Sequence, residues 1–432
     1  VQDVPPTDAP RRVVRIADIK RDRERVAPAA LESVPDKPGE LWKALGLSCG
    51  DKGPYPTIAN ACNVLAQHPR IAGRVWWDEF RGAIFYDDPD HDGQTVEWTD
   101  YHDVQVTAWM QEALKLPKMP KHAVADAVLL CARRNSRHPL KEWLESLHWD
   151  GTERLSTWLS DCLGVARSGY SEAVGRNWLI SMIARVYRPG CQVDHMPILE
   201  GPQGRGKSSF LRLLAGEWYS ALPEAFGGKD FLHAIIGRWL IEVPDLAGFN
   251  KRDHQHILAV VTTPVDRFRA AYDRRPEDHA RTCVFSATSE TSDYLQDPRG
   301  RRRFWPLACE GIDLKAFELQ RAQLFAEAMR QHAAGVSWHQ VPEGEADAQQ
   351  LERVDDDVWS EPILEYVRLR PNQRFSSADL LSIVVGIERE DQNDGQKRRV
   401  VTIMRTAGWE QKVEKMDGST VRRWRKKDAP II

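Results

Sequence analysis

The chain has 432 residues, a formal net charge of −3, and 42% hydrophobic and 28% charged residues. That length admits two or three domains with sizeable cores, and the composition is that of an ordinary globular protein, not a collagen-like, disordered or membrane-embedded one. The overall charge makes no case for nucleic acid by itself, no apolar stretch reaches the length of a membrane span, and no signal peptide is visible.

Residues 1–38 are rich in Pro, Arg and Asp and lack periodicity, which predicts a flexible arm. The first residue is Val1 and not Met, so the chain is expected to be a piece of a longer protein. Residues 39–165 read as a mainly helical domain with a β-hairpin, strand-like at 74–77 and 83–86 and helical around 104–115 and 122–134. Asp87, Asp88, Asp90 and Asp92 lack calcium-loop spacing and read as a solvated turn, not a metal site. Seven cysteines form no close pair and no C-x-x-C, which argues against a disulfide framework or zinc site and for a reducing cytoplasm. The many tryptophans lie mostly in apolar patterns; core packing accounts for them, with base stacking open at one or two.

Ser168 opens an amphipathic helical stretch that stops at Pro189-Gly190. A core over residues 166–340 follows from what comes next. Gly201, Pro202, Gln203, Gly204, Arg205, Gly206, Lys207 and Ser208 fit G-x-x-x-x-G-K-[ST], the loop that cradles nucleotide phosphates. Its glycines let backbone N–H groups turn inward, Lys207 can reach the β- and γ-phosphates, and the Ser208 hydroxyl can ligate Mg²⁺. The apolar run 196–200 enters the loop as a strand. Ser209 and the residues to 214 leave it as a helix, its positive dipole end toward the phosphates.

Residues 238–246 read as a hydrophobic strand that delivers Glu242 and Asp245 at its end. That placement suits a Walker B element, with Glu242 on the metal side and Asp245 polarising the attacking water, the two roles being exchangeable. Arg267, Arg269 and Tyr272 form a dense patch that binds DNA, braces a subunit interface, or belongs to a salt-bridge cluster with Asp266 and Asp273. A third strand, 282–289, ends in polar side chains where a sensor of the γ-phosphate would sit. After it, Arg299, Arg301, Arg302 and Arg303 flank Gly300 and are anchored by Phe304-Trp305. They read as an arginine finger for a neighbouring subunit, the alternatives being DNA-phosphate contacts or a solvated face.

The acidic stretch 341–358 suits a linker. Residues 359–432 then read as three helices followed by a hairpin around Asp417-Gly418, the signature of a winged helix. From Gln396 to Lys427 there are eleven Lys/Arg against three acidic residues. Lys397, Arg398 and Arg399 on the third helix, with Arg422, Arg423 and Arg425 on the wing, match a duplex-binding footprint; a solvated basic hairpin is the alternative.

Together with the phosphate loop, several motifs resemble the virulence-associated protein E family, ATPases of phages and genomic islands related to superfamily 3 helicases. They are Asn135-Ser136-Arg137-His138-Pro139, His148-Trp149-Asp150-Gly151-Thr152-Glu153-Arg154-Leu155, Glu242-Val243-Pro244-Asp245-Leu246 and Arg302-Arg303-Phe304-Trp305-Pro306. The resemblance implies an α/β fold: an AAA+-like P-loop NTPase core with a helical N-terminal region and a C-terminal winged-helix-like domain. It implies a DNA-dependent ATPase or helicase that binds ATP and Mg²⁺, assembles as a ring, usually a hexamer, and works with DNA and a primase or replication initiator in a bacterial host's cytoplasm. Arg302 or Arg303 would supply the finger. One departure stands out: where the family places Asn after the third strand, this chain has Glu290. A carboxylate cannot donate a hydrogen bond unless protonated, so Thr288 or Ser289 takes that role or turnover is weakened. An ATP-switched DNA-binding oligomer with slow hydrolysis is therefore the second reading. A small-molecule or nucleoside kinase is a third, disfavoured because no acceptor lid is evident and the basic C-terminal unit would be unexplained.

Overall fold

Apolar residues at helical spacing in two segments, and alternating ones between them, build the N-terminal unit. A computed structural model describes residues 30–91, 94–222, 229–246, 251–268, 276–291, 294, 301–351, 359–370, 373–416 and 419–426. Most of the predicted arm therefore lies outside the described residues. Helix α1 (Pro38–Ala44) and the short pair β1 (Cys49–Gly50) and β2 (Gly53–Pro54) lead into α2 (Ile58–Gln67), whose first turn is capped by the Thr57 hydroxyl. Strands β3 (Val75–Asp78) and β4 (Ala83–Asp88) pair antiparallel at the positions expected for a hairpin. The sheet is widened by β5 (Gln94–Glu97) and, after α3 (Asp100–Glu112) and α4 (Lys121–Arg134), by β6 (Ser136–Arg137). Val64 and Leu65 of α2 pack against Val124, Ala127 and Val128 of α4, one apolar stripe closing on another.

The next unit is three-layered. Helices α5 (Pro139–Ser146), α6 (Trp158–Leu163) and α7 (Gly169–Tyr187) precede β7 (Met196–Glu200). Then come α8 (Lys207–Ala215), β8 (Tyr219–Ala221), α9 (Lys229–Ile235), β9 (Leu240–Val243) and α10 (Lys251–Thr262). A two-stranded ribbon, β10 (Val265–Phe268) with β11 (Glu277–Ala280), stands apart before β12 (Val284–Ser289) and β13 (Phe304–Ala308). The five-stranded sheet has the order β13-β7-β12-β9-β8, and every pairing in it is parallel. All residues of β7, β9 and β12 are buried, as a parallel sheet covered on both faces requires. Alternation divides them: Ile198, Ile241, Val243, Phe285 and Ala287 face α9 and α10. Leu199, Leu240 and Val284 face α7, α8 and α11 (Leu314–Ala333).

Two expected boundaries move. Helices α5 and α6, assigned by sequence to the N-terminal domain, place Leu140, Leu144, Trp158 and Leu159 in one apolar cluster with α7 and α8. The stretch 341–358, expected as a linker, carries α12 (Glu343–Leu351). Its Ala346 is buried in that cluster, its Gln350 side chain donates to the Phe304 carbonyl at 3.0 Å, and its Glu345 accepts from the Tyr170 N–H at 2.8 Å. Three apolar or amide contacts on one side of a short polar helix suffice to dock it, and average acidity hides them. The family-like segment 148–155 is also structural: Glu327 of α11 accepts the N–H groups of Arg154 and Leu155 at 2.7 and 3.1 Å, and Arg330 lies over Trp149.

The last unit comprises α13 (Ser360–Arg368), α14 (Ser377–Leu380) continued by a wider turn to Val385, α15 (Asp394–Thr406), and the antiparallel pair β14 (Trp409–Met416) and β15 (Ser419–Lys426). Phe375 bridges to Trp424, which is fully buried among Ile363, Leu380, Val400 and Met404.

Two buried histidines give this fold a pH dependence. His138 caps α5 by accepting the Lys141 N–H, and burial with Lys141 nearby lowers it to about 4. His195 stacks on Trp305 at 3.7 Å, and burial, helped by His339 and Arg185, lowers it to about 3. An unfolded histidine titrates near 6.5, so both are neutral in the fold and gain a proton on unfolding at lower pH. Their contribution is complete above about pH 6.5 and is lost as pH falls from there toward 4. Thermal denaturation across that range should show a falling Tm, and His138→Gln should make the fall shallower.

Candidate active site

The carboxyl ends of parallel strands, where strand order reverses, form the natural ligand crevice of an α/β sheet. Here β7, β9 and β12 end side by side, Ser289 opposite Glu200 and Ala287 opposite Val243. The 201–206 loop leaves β7 at that edge and returns as α8. Gly201 has φ +144°, and a Cβ there would stand 2.9 Å from the Cys309 carbonyl oxygen; its N–H donates to the Ser289 carbonyl at 3.2 Å. Gly206 closes the loop in the left-handed region, φ +87°, as the residue before the helix. Lys207 is buried on the first turn and donates to the Gly201 and Pro202 carbonyls, the latter at 2.9 Å. Gln203, Gly204, Arg205, Ser208 and Ser209 are exposed along the loop and first turn.

Glu242 is the centre of the site. Only 1% of it is exposed, and its carboxylate accepts three hydroxyls. Ser208 Oγ donates at 2.6 Å and Thr288 Oγ1 at 3.1 Å to one oxygen, and the Tyr219 phenol donates to the other. Burial first, and then the Glu242 carboxylate, push Tyr219 well above the ordinary phenol range, which keeps it a donor. Asp245 lies just beyond the strand, exposed, with φ +45°, an uncommon conformation for a residue with a Cβ. Its N–H approaches Thr288 Oγ1 at 3.4 Å.

Of the strand-end candidates, Thr288 enters the site. The Ser289 hydroxyl turns away to the Thr291 carbonyl at 2.7 Å, and Glu290 is exposed. Tyr219 has no counterpart in the sequence reading; it comes from an edge strand with no motif spacing to mark it. Glu200, the last residue before the loop, accepts from the Tyr294 phenol at 2.5 Å and ties the chain that follows β12 to the loop strand.

The arginine candidates are dispersed. Arg302 is exposed and Arg303 half-buried just ahead of β13, whose Phe304 pairs with Met196 at the amino end of β7. Five residues at ~3.3 Å each put them roughly 16 Å from the loop of their own chain. Arg267 is exposed and pairs across the ribbon with Asp278 at 2.9 Å, while Asp266 is held bidentately by Arg281 at 2.9 and 2.6 Å. Arg269 and Tyr272 lie outside the described residues. In the last unit, Arg398 and Arg399 are exposed and Lys397 half-buried on α15, with Arg399 over the Trp359 ring at 3.9 Å. Strand alternation puts Arg423 and Arg425 on one face of the hairpin and Arg422 with the buried Trp424 on the other; Arg425 pairs with Glu410.

The donor set fits Mg²⁺, which takes one or two protein oxygens and fills its shell with waters and phosphate. Ser208 and Glu242 would hold it.

Fold and motif together define a mixed α/β protein with a parallel sheet and a phosphate-loop sequence at the sheet's carboxyl edge. Residues 144–357 match the family model of the virulence-associated protein E-like domain, so the chain carries that domain and the resemblance read from its motifs is borne out. Among curated proteins, none matches the chain. Similar solved structures include the apo C-terminal region of NrS-1 (14% identity, 81% of this chain and 95% of that one, TM-score 0.46). The A form apo structure of that region is comparable (14%, 82% and 96%, TM-score 0.47). A point mutant of Thermotoga maritima RuvB is also similar (11%, 58% and 92%, TM-score 0.22).

The loop geometry gives a direct test. Gly201→Ala must place a methyl group against a backbone carbonyl at a φ unfavourable to alanine, and should cost on the order of 1–3 kcal/mol. Chemical denaturation should register that loss, whereas Gly204→Ala, whose Cβ meets no atom within 4 Å, should cost less.

Proposed function

We propose that this chain is an ATP hydrolase with an AAA+-like core that drives DNA movement, a helicase or translocase of superfamily 3 type serving replication of a phage or mobile element. The observation that carries it is the 2.6 Å hydrogen bond from Ser208 to Glu242. It brings the hydroxyl of the phosphate loop and the carboxylate of a strand two places away in the sheet, the two protein oxygens a nucleotide-bound Mg²⁺ needs, to one point. Bound there, ATP-Mg²⁺ would supply the phosphoryl group and the charge that favours its transfer. Lys207 would leave the Gly201 and Pro202 carbonyls for phosphate, Thr288 would serve as the polar sensor in place of the missing Asn, and Asp245 would polarise water.

The position of Arg302 and Arg303 at the amino end of the sheet supports a finger acting in trans, and with it a ring. The three helices, the Phe375–Trp424 bridge and the terminal hairpin support a winged-helix reading of residues 359–432, with Arg398, Arg399 and Arg422 as phosphate contacts. A primase or replication initiator is the expected partner and the cytoplasm of a bacterial host the expected location. Among the described residues no helix is long and apolar enough to cross a membrane. Glu290 at the strand end favours one competing reading, an ATP-switched DNA-binding oligomer that hydrolyses slowly.

ATP hydrolysis with and without single- and double-stranded DNA tests the proposal. DNA should stimulate turnover, and Lys207→Ala should abolish it. Arg302→Ala alone and Glu242→Gln alone should each be inactive, while their mixture regains part of the activity. Absence of turnover with any DNA would support the switch instead, and in that case Glu290→Asn should raise hydrolysis. Duplex affinity should fall steeply with salt, and Arg422→Ala should flatten the slope of log K against log salt by about one.

A further inference from the structure

A second cleft, of about 150 Å³, lies in the N-terminal unit, away from the phosphate loop. It opens between Arg70-Ile71, β4 and the turn after it on one side and α3 on the other, with Trp98 just ahead of α3. Tyr86, Trp98 and Trp109 line it, and all three rings are half-buried, so part of each is covered by protein and part meets solvent. His102, Val106 and Trp109 recur at helical spacing on one face of α3, which aligns them along the cleft.

The walls are preorganised. The Trp98 indole N–H donates to Asp103 at 2.9 Å, and the ring meets Tyr86 edge-on at 5.6 Å with planes 85° apart. His102 lies beside Trp98 at 5.3 Å, its imidazole fixed where Nδ1 accepts the Thr99 N–H. Trp109 is held edge-on to His68 at 4.8 Å, with the Arg70 guanidinium 5.9 Å from its ring. Arg70 is itself anchored by Asp90 at 2.6 Å. Rings so fixed lose little entropy when a flat ligand slides onto them.

We propose that this cleft is a nucleobase site. Its volume suits one flat heterocycle, about the size of cavity that accepts a benzene ring. Aromatic faces stack any base, and Arg70, Gln105 and the carboxylates offer both donors and acceptors to a base edge. With Asp88 and Asp90 against Arg70, carboxylates outnumber cations among the lining residues, so a phosphate is disfavoured inside and a base enters with its sugar-phosphate outward. The base comes either from a single strand or from a free nucleoside. Only the strand source rests on the DNA reading above.

Binding is measured on the full chain carrying Lys207→Ala, which silences the phosphate loop. The probes are deoxyadenosine, a single-stranded oligonucleotide and its duplex, with tryptophan fluorescence as the readout. Trp98→Ala and Trp109→Ala should each weaken base binding roughly 5- to 100-fold, the range expected for one lost stacking contact. Trp98→Phe, which keeps a stacking face, should retain it. Loss on the oligonucleotide but not the duplex, with an unchanged salt slope, identifies a base from a strand; loss on deoxyadenosine alone identifies a free nucleoside. Unchanged binding of all three probes by both alanine variants overturns the proposal. So does quenching by tetramethylammonium but by no base, which would make the rings a cation cage. In the wild-type Lys207 background, DNA-free ATP hydrolysis by Trp98→Ala should equal that of the parent, so a failure here is separable from a failure of the ATPase reading.

Discussion

The centre of the molecule depends on one buried carboxylate. Taking an ionised group out of water costs several kcal/mol unless partners replace its hydration. Glu242, on a strand with no exposed residue, finds them in three hydroxyls rather than in a cation; among the described residues no Lys or Arg pairs with it. Those hydroxyls come from α8, β8 and β12. Satisfying the carboxylate therefore requires β9 to lie between β8 and β12, with the start of α8 over the same edge. The parallel order of the sheet meets that requirement, and the phosphate loop is placed as a consequence.

Glycines alone would leave such a loop loose. Its far end is fixed because α8 is pinned by packing: Phe210 lies 4.7 Å from Phe317 and 6.0 Å from Trp158, and Leu211 and Leu214 are fully buried. Helix α11, which supplies Phe317 and Phe325, is clamped on its other side by the 148–155 segment through Glu327, Gln323 and Arg330. The Trp-Asp-Gly motif thus acts on the frame that holds Ser208, not on the site itself. Dense aromatic packing transmits position because close-packed interiors yield little.

How much of this was legible follows from how local each signal is. Residues 201–208 are contiguous and lie between an apolar strand and an amphipathic helix, so their geometry is written in one stretch. The strand that carries Glu242 and leads to Asp245 was readable for the same reason. Tyr219 was not, because its only tie to Glu242 is a sheet neighbour relation that no spacing encodes. The choice of Thr288 over Ser289 depends on which face of the sheet each side chain takes, which the end of a fully buried strand does not reveal. Helix α12 escaped because Ala346, Glu345 and Gln350 dock it through single contacts that average acidity conceals. Of the second cleft only Asp88 and Asp90 stood out, as an acidic turn, since Trp98 and Trp109 meet them only in the fold.

The two ends of the sheet bear on assembly. A five-residue strand separates Arg302 and Arg303 from the carboxyl edge where Ser208 and Glu242 meet. The roughly 16 Å involved is the length of the whole strand, which no side chain spans. Under the proposed reading, a chain with its phosphate loop at one end of β7 and its arginines at the other can complete a site only with a second copy. Repeating that head-to-tail contact gives a ring if the rotation closes and a filament if it does not. Tyr294 is then well placed to matter, because its phenol bonds Glu200, the last residue of the strand that carries the loop. Under that reading, a shift at the loop would reach Tyr294 through one buried hydrogen bond.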